Sequence, residues 1–117
     1  MWVFTKDGFF TAVSSQCQKD ELMIKANSRK DLEKLLLNIT DQPPIQESRE
    51  PGYRFHLILP KTSWIRYLSD YVERLDYETV RDNIVTRNDT ARHEAYQAVW
   101  TTMHNWMGRE ALSRDDM

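Results

Sequence analysis

The chain has 117 residues, of which 40% are apolar and 11% aromatic, and its 16 Lys and Arg stand against 18 Asp and Glu. This length and apolar content are typical of one folded domain that buries roughly two-thirds of its unfolded surface. The net charge of −2 argues against the basic surface of a dedicated nucleic-acid binder, and the single cysteine, Cys17, excludes an intrachain disulfide and a zinc site built on several cysteines.

The chain shows neither a basic leader followed by an apolar segment nor a run of 18 apolar residues. A lone cysteine is typical of a reducing compartment. We therefore expect a cytoplasmic protein without a membrane span.

The first segment predicts a β-hairpin. Residues 2–5 and 9–13 are aromatic and β-branched runs joined by Asp7 and Gly8. An Asp-Gly pair favours a two-residue type I′ turn, in which both residues take positive φ. The hairpin is the stretch around which we expect the fold to be organised.

The hairpin should present apolar side chains to both faces of a sheet. Successive side chains of a strand point to opposite faces, so Trp2 and Phe4 share one face while Phe9 and Phe10 lie on different faces. Both faces therefore need a cover, and helices on one side can supply only one.

The middle of the chain predicts strand, helix, loop and strand. Residues 22–26 form a mostly apolar run that predicts a strand, and Ser28 then precedes a helical repeat of leucines over residues 29–38. Residues 40–52 hold three prolines and little apolar content, which predicts a mobile loop. Residues 53–59 alternate between apolar and polar side chains, as a half-buried strand does.

Three helices are predicted in the C-terminal half. The first runs from a cap at residues 62–63 to about residue 75, the second covers residues 76–87, and the third covers residues 90–107 with Gly108 as its stop. We expect one domain over residues 1–108 and a frayed tail over residues 109–117.

The predicted order is β-β-β-α-β-α-α-α. It indicates an α+β fold with a four-stranded, antiparallel-rich sheet and helices mainly on one face. The strand-helix-strand unit in the middle favours a right-handed crossover, which places its helix on that face.

The opening Trp-Val-Phe-Thr-Lys-Asp-Gly-Phe-Phe of residues 2–10 resembles that of small bacterial proteins of about 110 residues that begin Trp-aliphatic-Phe-Thr. The similarity extends along most of the chain, through residues 22–26, 31–32, 76–77 and 80–82 and through positions between Arg92 and Met103. That family has no assigned activity, so the resemblance implies neither a reaction nor functional residues.

No catalytic or metal motif stands out. His93 and Glu94 begin a metalloprotease helix motif, but Gln97 replaces the second histidine that would share the metal. His56 and His104 are scattered, and Cys17 lacks the setting of a reactive thiol. We therefore predict no metal and no cofactor, and we do not expect an enzyme.

One polar cluster surrounds a predicted helix junction, and it is the best candidate binding site in the sequence. Its members are Arg81, Arg87, Asn88, Asp89, Arg92 and His93. A half-buried guanidinium needs acceptors. These are supplied either by a structural ion pair, which we favour, or by a bound anion.

The aromatic side chains supply the candidate interface. Most aromatics should be core, but the second sheet face leaves some over, with Trp2, Phe4 and Phe10 as interface candidates. We expect an interaction module that binds a protein or a small ligand, with a homodimer through the open sheet face as one form.

The alternative is a single-stranded nucleic-acid binder that stacks bases on these aromatics. Its phosphate contacts would come from Lys6, Lys25, Arg54 and His56. So few cations in a chain of net charge −2 predict weak binding at most, and nucleic acid is the less favoured partner.

Overall fold

A computed structural model describes residues 1–14, 17–76 and 90–115, with side chains described as far as residue 110. Backbone contacts divide the chain into two compact units, Met1–Asp76 and Tyr77–Met117, and each is described by itself. The expectation of one domain over residues 1–108 stays a prediction.

The first unit is built on one antiparallel sheet. Its strands are β1 (Trp2–Phe4), β2 (Phe9–Val13), β3 (Glu21–Ala26), β4 (Gln46–Glu50) and β5 (Tyr53–Pro60). They lie in the order β1-β2-β3-β5-β4, and every neighbouring pair is antiparallel. The described helices are α1 (Arg29–Leu36), α2 (Lys61–Glu73) and α3 (Thr90–Asp115). The predicted α+β class is confirmed, with five strands instead of four.

The additional strand corrects the prediction of a mobile loop over residues 40–52. Gln46 pairs with His56, and Glu50 pairs with Tyr53 across a turn in which Gly52 has a φ of +83°. Strand β4 is largely exposed at the edge of the sheet. An edge strand with solvent on most sides needs little apolar pattern, which is why its sequence resembles a loop.

The turn between β1 and β2 also differs from the prediction. Phe4 pairs with Phe9, so four residues rather than two form the connection. Among the described residues, positive φ occurs only at Asp20 and Gly52. The connection is closed instead by Thr5, whose N–H donates to the carbonyl of Gly8 at 2.9 Å. The type I′ assignment is therefore wrong.

The helix starts agree with the sequence better than the helix ends. Helix α1 begins directly after Ser28, as predicted, and α2 begins at Lys61, just before the predicted cap. Helix α3 continues through Gly108 to Asp115, so the predicted stop is wrong. A Cβ added to Gly108 would meet nothing within 4 Å, and glycine weakens a helix without forbidding it. From residue 77 onwards, the helix predicted over residues 76–87 lies outside the described residues.

The core lies between the sheet and helices α1 and α2, on what we call the inner face. Leu32 and Leu35 of α1 and Trp64 and Tyr67 of α2 join one buried cluster with the inner-facing strand residues. Those strand residues are Phe10, Ala12, Ile24, Ala26, Leu57 and Leu59. Both helices of the first unit therefore cover the same side of the sheet.

Aromatic rings occupy the centre of this core. Phe10 meets Trp64 and Tyr67 edge to face, each with ring centroids 6.2 Å apart. Trp64 and Tyr67 stack with centroids 5.5 Å apart. These arrangements are favourable for ring quadrupoles, and they tie strand β2 to helix α2.

The close approach of helix α1 to the hairpin connection predicts that Gly8→Ala destabilises the first unit. A Cβ at residue 8 would lie 2.6 Å from the Cβ of Asp31, which cannot move away without the helix backbone. We expect a loss of about 1–3 kcal/mol in the free energy of unfolding, measured by urea denaturation.

Gly108→Ala is the matched comparison. Its added methyl group meets open space in the interior of α3, so we expect this helix to gain about 0.5–1 kcal/mol. A Gly8→Ala protein as stable as the wild type would contradict the proposed clash.

Candidate functional site

The side of the sheet turned away from α1 and α2, which we call the outer face, carries a second set of apolar side chains. Strand pairing places Phe4 beside Phe9, and Met23 between Val13 and Ile58. Met23 is buried although it lies outside the inner core cluster. The apolar residues of the outer face are Trp2, Phe4, Phe9, Val13, Met23 and Ile58.

An aromatic group occupies the β1–β2 corner of the outer face. Phe4 stacks on Phe9 with ring centroids 4.5 Å apart, and Trp2 meets Phe9 edge to face at 6.3 Å. Phe4 and Phe9 are half-buried, whereas Trp2 is 71% exposed. The pair of phenylalanines thus supports a large indole ring that lies mostly in solvent.

Paired charges lie beside this apolar surface. The ammonium of Lys25 is 2.7 Å from Oε2 of Glu50 and lies 5.8 Å from the centre of the Tyr53 ring. The hydroxyl of Tyr53 accepts a hydrogen bond from Thr11 at 2.9 Å. The positive charge of Lys25 is therefore offset within the sheet.

His56 connects strands β5 and β4. Its Nδ1 atom is in hydrogen-bonding contact with the Ser48 hydroxyl, and its Nε2 atom lies 3.2 Å from Oε1 of Gln46. Ser48 and His56 border a shallow cavity of about 360 Å³.

Serine, histidine and an amide also form the nucleophile, base and orienting group of some hydrolases. Here Gln46 is the direct cross-strand neighbour of His56, and Gln46 lies exposed on an edge strand. Such a hydrolase site requires an oxyanion-stabilising group and shielding from water. Because both ring nitrogens are engaged within the sheet, we interpret the trio as a clasp that holds β4 to β5.

A second polar cluster lies under the hairpin connection. The hydroxyl of Tyr67 donates to Oδ2 of Asp7 at 2.8 Å, and Thr5 Oγ1 accepts the N–H groups of Asp7 and Gly8 at 3.1 and 3.2 Å. Burial raises the pKa of Tyr67 far above its ordinary value of 10.0, and the charge of Asp7 acts in the same direction. The cluster fixes the hairpin on helix α2 and so positions the aromatic corner.

A further hydrogen bond joins the same two elements. The backbone N–H of Lys6 donates to the hydroxyl of Tyr71 at 2.9 Å. Tyr67 and Tyr71 are one helical turn apart on α2, with ring centroids separated by 6.2 Å. The connection between β1 and β2 is thus held at two successive turns of the helix.

Part of the predicted polar cluster lies within the described residues. Arg81, Arg87, Asn88 and Asp89 lie outside them, whereas Arg92 and His93 occupy the first turn of α3 and are half-buried.

Arg92 donates from Nη1 to the hydroxyl of Tyr96 at 3.1 Å, with its guanidinium carbon 5.7 Å from the ring centre. Tyr96 is therefore one acceptor for this guanidinium, and the spacing of four residues brings the two side chains to one face of the helix.

The predicted interface residues separate between the two faces. Trp2 and Phe4 lie on the outer face, but Phe10 is fully buried in the core and is not available to a partner. Sequence reasoning missed Phe9, which lies half-buried on the outer face. Alternation divides side chains into two sets without saying which set the helices cover, so the pattern could not identify the exposed set.

Neither a metal site nor a membrane-spanning helix is found in the described part of the chain. There, no three His, Cys, Asp or Glu side chains come together in a way that could hold a metal ion. Within the same residues, no helix is long and apolar enough to cross a membrane.

Comparison with protein-family models, with curated proteins and with solved structures finds no match to this chain. The resemblance to small bacterial proteins therefore stays a prediction. The outer face has to be interpreted from its own geometry.

The raised pKa of Tyr67 predicts a loss of stability in alkaline solution. A group whose pKa is higher in the folded protein contributes stability that is fully present below its unfolded pKa, here about 10, and that is lost as the pH rises above this value. The free energy of unfolding should therefore fall steeply above about pH 10.

The measurement is urea denaturation at a series of pH values. In Tyr67→Phe the steep alkaline loss should become shallower, although stability at neutral pH falls by about 1–3 kcal/mol because Asp7 loses a buried donor. Tyr53→Phe is the control and should keep the alkaline loss. Equal pH profiles for Tyr67→Phe and the wild type would contradict the assignment.

The contrast between the two sheet faces predicts different costs for two tryptophans. Trp64 is 2% exposed in the core, so Trp64→Ala should destabilise the first unit by about 3–5 kcal/mol. Trp2 is mostly in solvent, so Trp2→Ala should cost less than about 1 kcal/mol by the same urea titration. A cost at Trp2 as large as that at Trp64 would place its ring in a packed interior.

Proposed function

We propose that this protein is a non-enzymatic interaction module that binds a partner protein through the outer face of its sheet. The observation that carries the proposal is Trp2, whose large apolar ring is 71% exposed beside Phe4 and Phe9. Exposed apolar patches bordered by polar groups mark binding surfaces, and tryptophan is enriched among the residues that contribute most to binding.

The shape of the surface favours a protein over a small ligand. Small-ligand sites are usually concave and enclose most of the ligand. The outer face is instead a sheet surface, and its neighbouring cavity is shallow and bordered by Lys25, Glu50 and His56. An apolar patch with a polar margin is the usual composition of a protein interface.

The partner should present aromatic or aliphatic side chains. The patch to be covered consists of Trp2, Phe4 and Phe9 at one corner of the sheet and continues to the half-buried Val13 and Ile58, whereas Met23 is already buried. A second copy of this chain, the homodimer predicted from the sequence, is one partner of that chemistry, and sedimentation of the Trp2→Ala variant distinguishes it. Membership of the family of small bacterial proteins is part of the same proposal, and that family suggests no reaction.

The alternative, binding of single-stranded nucleic acid, is disfavoured because two of its four predicted phosphate contacts are engaged within the sheet. Lys25 is bound to Glu50, and both ring nitrogens of His56 are engaged by Ser48 and Gln46. Affinity for a polyanion depends on the number of phosphates that cations neutralise. With Lys6 and Arg54 as the remaining predicted contacts, such binding should be weak.

Selection from a displayed library of random peptides tests the proposal, because it does not require the partner to be identified first. Peptides enriched on the wild-type protein should be rich in aromatic and aliphatic residues. Their affinity should fall at least about tenfold in Trp2→Ala, because tryptophan is among the residues whose truncation costs the most binding energy at protein interfaces. Val72→Ala is the matched control, since Val72 is 68% exposed on helix α2, and it should leave affinity unchanged.

Three outcomes would contradict the proposal. The first is a failure to enrich any peptide, and the second is enriched peptides that bind Trp2→Ala as well as the wild type. The third is tighter binding of mixed-sequence single-stranded DNA than of peptides, measured by fluorescence anisotropy. If sedimentation shows that Trp2→Ala also abolishes a wild-type dimer, the partner is a second copy of the chain.

A further inference from the structure

Helix α3 carries a second exposed apolar surface, which we call the α3 stripe. It consists of Val99, Trp100, Met103, Trp106 and Met107, whose side chains are 38–53% exposed. These positions recur every three or four residues, so they share one side of the helix. Tyr96 continues the stripe towards the N-terminus but is buried.

The residues around the stripe are unusual for an exposed helix. Residues 95–108 contain no Asp, Glu, Lys or Arg. A helix exposed to water normally carries charges on its polar face, and a broad apolar side is normally covered. The stripe therefore has the composition of a helix that packs against another apolar surface.

We propose that the α3 stripe pairs in antiparallel orientation with the α3 stripe of a second copy of this chain. The stripe ends in opposite charges, because a step of seven residues leads from Val99 back to Arg92 and from Met103 forward to Glu110. Antiparallel pairing about Thr101 places each Arg92 opposite the Glu110 of the other copy. Parallel pairing would place like charges together.

The same register pairs the apolar residues. A residue of one copy faces a residue of the other across this two-fold axis when their numbers add up to 202 or 203. Met103 of one copy therefore lies opposite Val99 and Trp100 of the other. Trp100 is already oriented by His104, whose ring stacks on the indole with centroids 4.7 Å apart and an interplanar angle of 9°. The contact is isologous, as expected of a closed dimer.

The paired segment is small. Residues 92–110 extend about 27 Å along the helix axis at 1.5 Å per residue. A fully buried tryptophan covers about 150–250 Å², so the half-exposed Trp100 and Trp106 can each contribute roughly 100 Å². These dimensions indicate an interface at the lower end of the size range, with micromolar affinity.

A membrane surface fits the stripe less well. Helices that lie on membranes are rich in Lys and Arg on their polar side. The sequence of α3 instead balances Arg92, Arg109 and Arg114 with Glu94, Glu110 and Asp115. Charge complementarity therefore favours a second copy of the helix.

Sedimentation equilibrium of the full chain tests the pairing. The wild type should dimerise at about 10–100 μM, as expected for a small interface. Met103→Glu, which places a charge at the centre of the stripe, should raise the dimer dissociation constant at least about tenfold. Asn105→Glu adds the same charge on the opposite side of α3 and should leave the constant unchanged.

Spin labels test the orientation. In a Cys17→Ser background, labels at residue 95, which flanks the stripe, should be offset by about 18 Å along the axis in an antiparallel dimer. In a parallel dimer they would have no axial offset and would lie about one interhelical distance, roughly 10 Å, apart. Glu110→Arg should weaken the dimer, and Arg92→Glu combined with Glu110→Arg should restore it. Circular dichroism of each variant shows whether α3 is still helical.

Several outcomes would overturn the inference. In sedimentation, these are a wild type that stays monomeric at 100 μM and a dimer whose dissociation constant is unchanged by Met103→Glu. In the spin-label experiment, it is a short distance between the labels, which indicates a parallel dimer. Binding of the wild type to mixed phosphatidylcholine and phosphatidylglycerol vesicles, abolished by Met103→Glu, would instead assign the stripe to a membrane surface. The inference is independent of the outer face, because peptides selected on that face should bind Met103→Glu as well as they bind the wild type.

Discussion

The arrangement of the first unit depends on how four residues, Thr5 to Gly8, are held between the sheet and both of its helices. Asp31 of α1 packs where a side chain of residue 8 would lie, and the hydroxyl of Tyr67 on α2 donates a hydrogen bond to Asp7. These contacts are short, buried and directional, so they fix both the position and the tilt of the hairpin. Once the hairpin is fixed, alternation along its strands sends Phe10 into the core and Phe4, Phe9 and Trp2 to the other side.

The outer face follows from this geometry. Two helices cover one side of a five-stranded sheet, and the sequence nevertheless supplies apolar side chains to both sides. The hydrophobic effect that assembles the inner core therefore leaves a second surface whose burial would also be favourable. Two polar side chains near it are bonded to neighbours on the sheet: Lys25 to Glu50, and His56 to Ser48 and Gln46. If this face is the proposed binding surface, its partner is recognised by shape and hydrophobicity more than by charge.

Much of the fold could be predicted from local sequence. Ser28 and the leucine spacing after it identified the start of α1, and the alternation over residues 53–59 identified β5, because both patterns reflect burial on one side. Strand β4 could not be predicted, since an exposed edge strand is stabilised by its neighbour and not by its own composition. The prediction of the turn type was wrong for a related reason. Glycine is needed at residue 8 because Asp31, distant in sequence, leaves no room for a side chain, and not because the backbone there has a positive φ. The candidate site was half predicted: alternation paired Trp2 with Phe4, but only the placement of the helices shows that Phe10 belongs to the core.

The two ends of the sheet have a consequence for how the protein behaves when it is concentrated. An open sheet exposes unpaired N–H and C=O groups at its edge strands, and these groups can pair with the edge of another molecule and begin a fibril. Strand β1 is only three residues long, and β4 carries Glu47, Arg49 and Glu50 within five residues. A short edge offers few hydrogen bonds to an incoming strand, and a charged edge makes close stacking with its own copy unfavourable. The charged and weakly apolar composition of β4, which made its sequence resemble a loop, therefore also protects the sheet from aggregation along this edge.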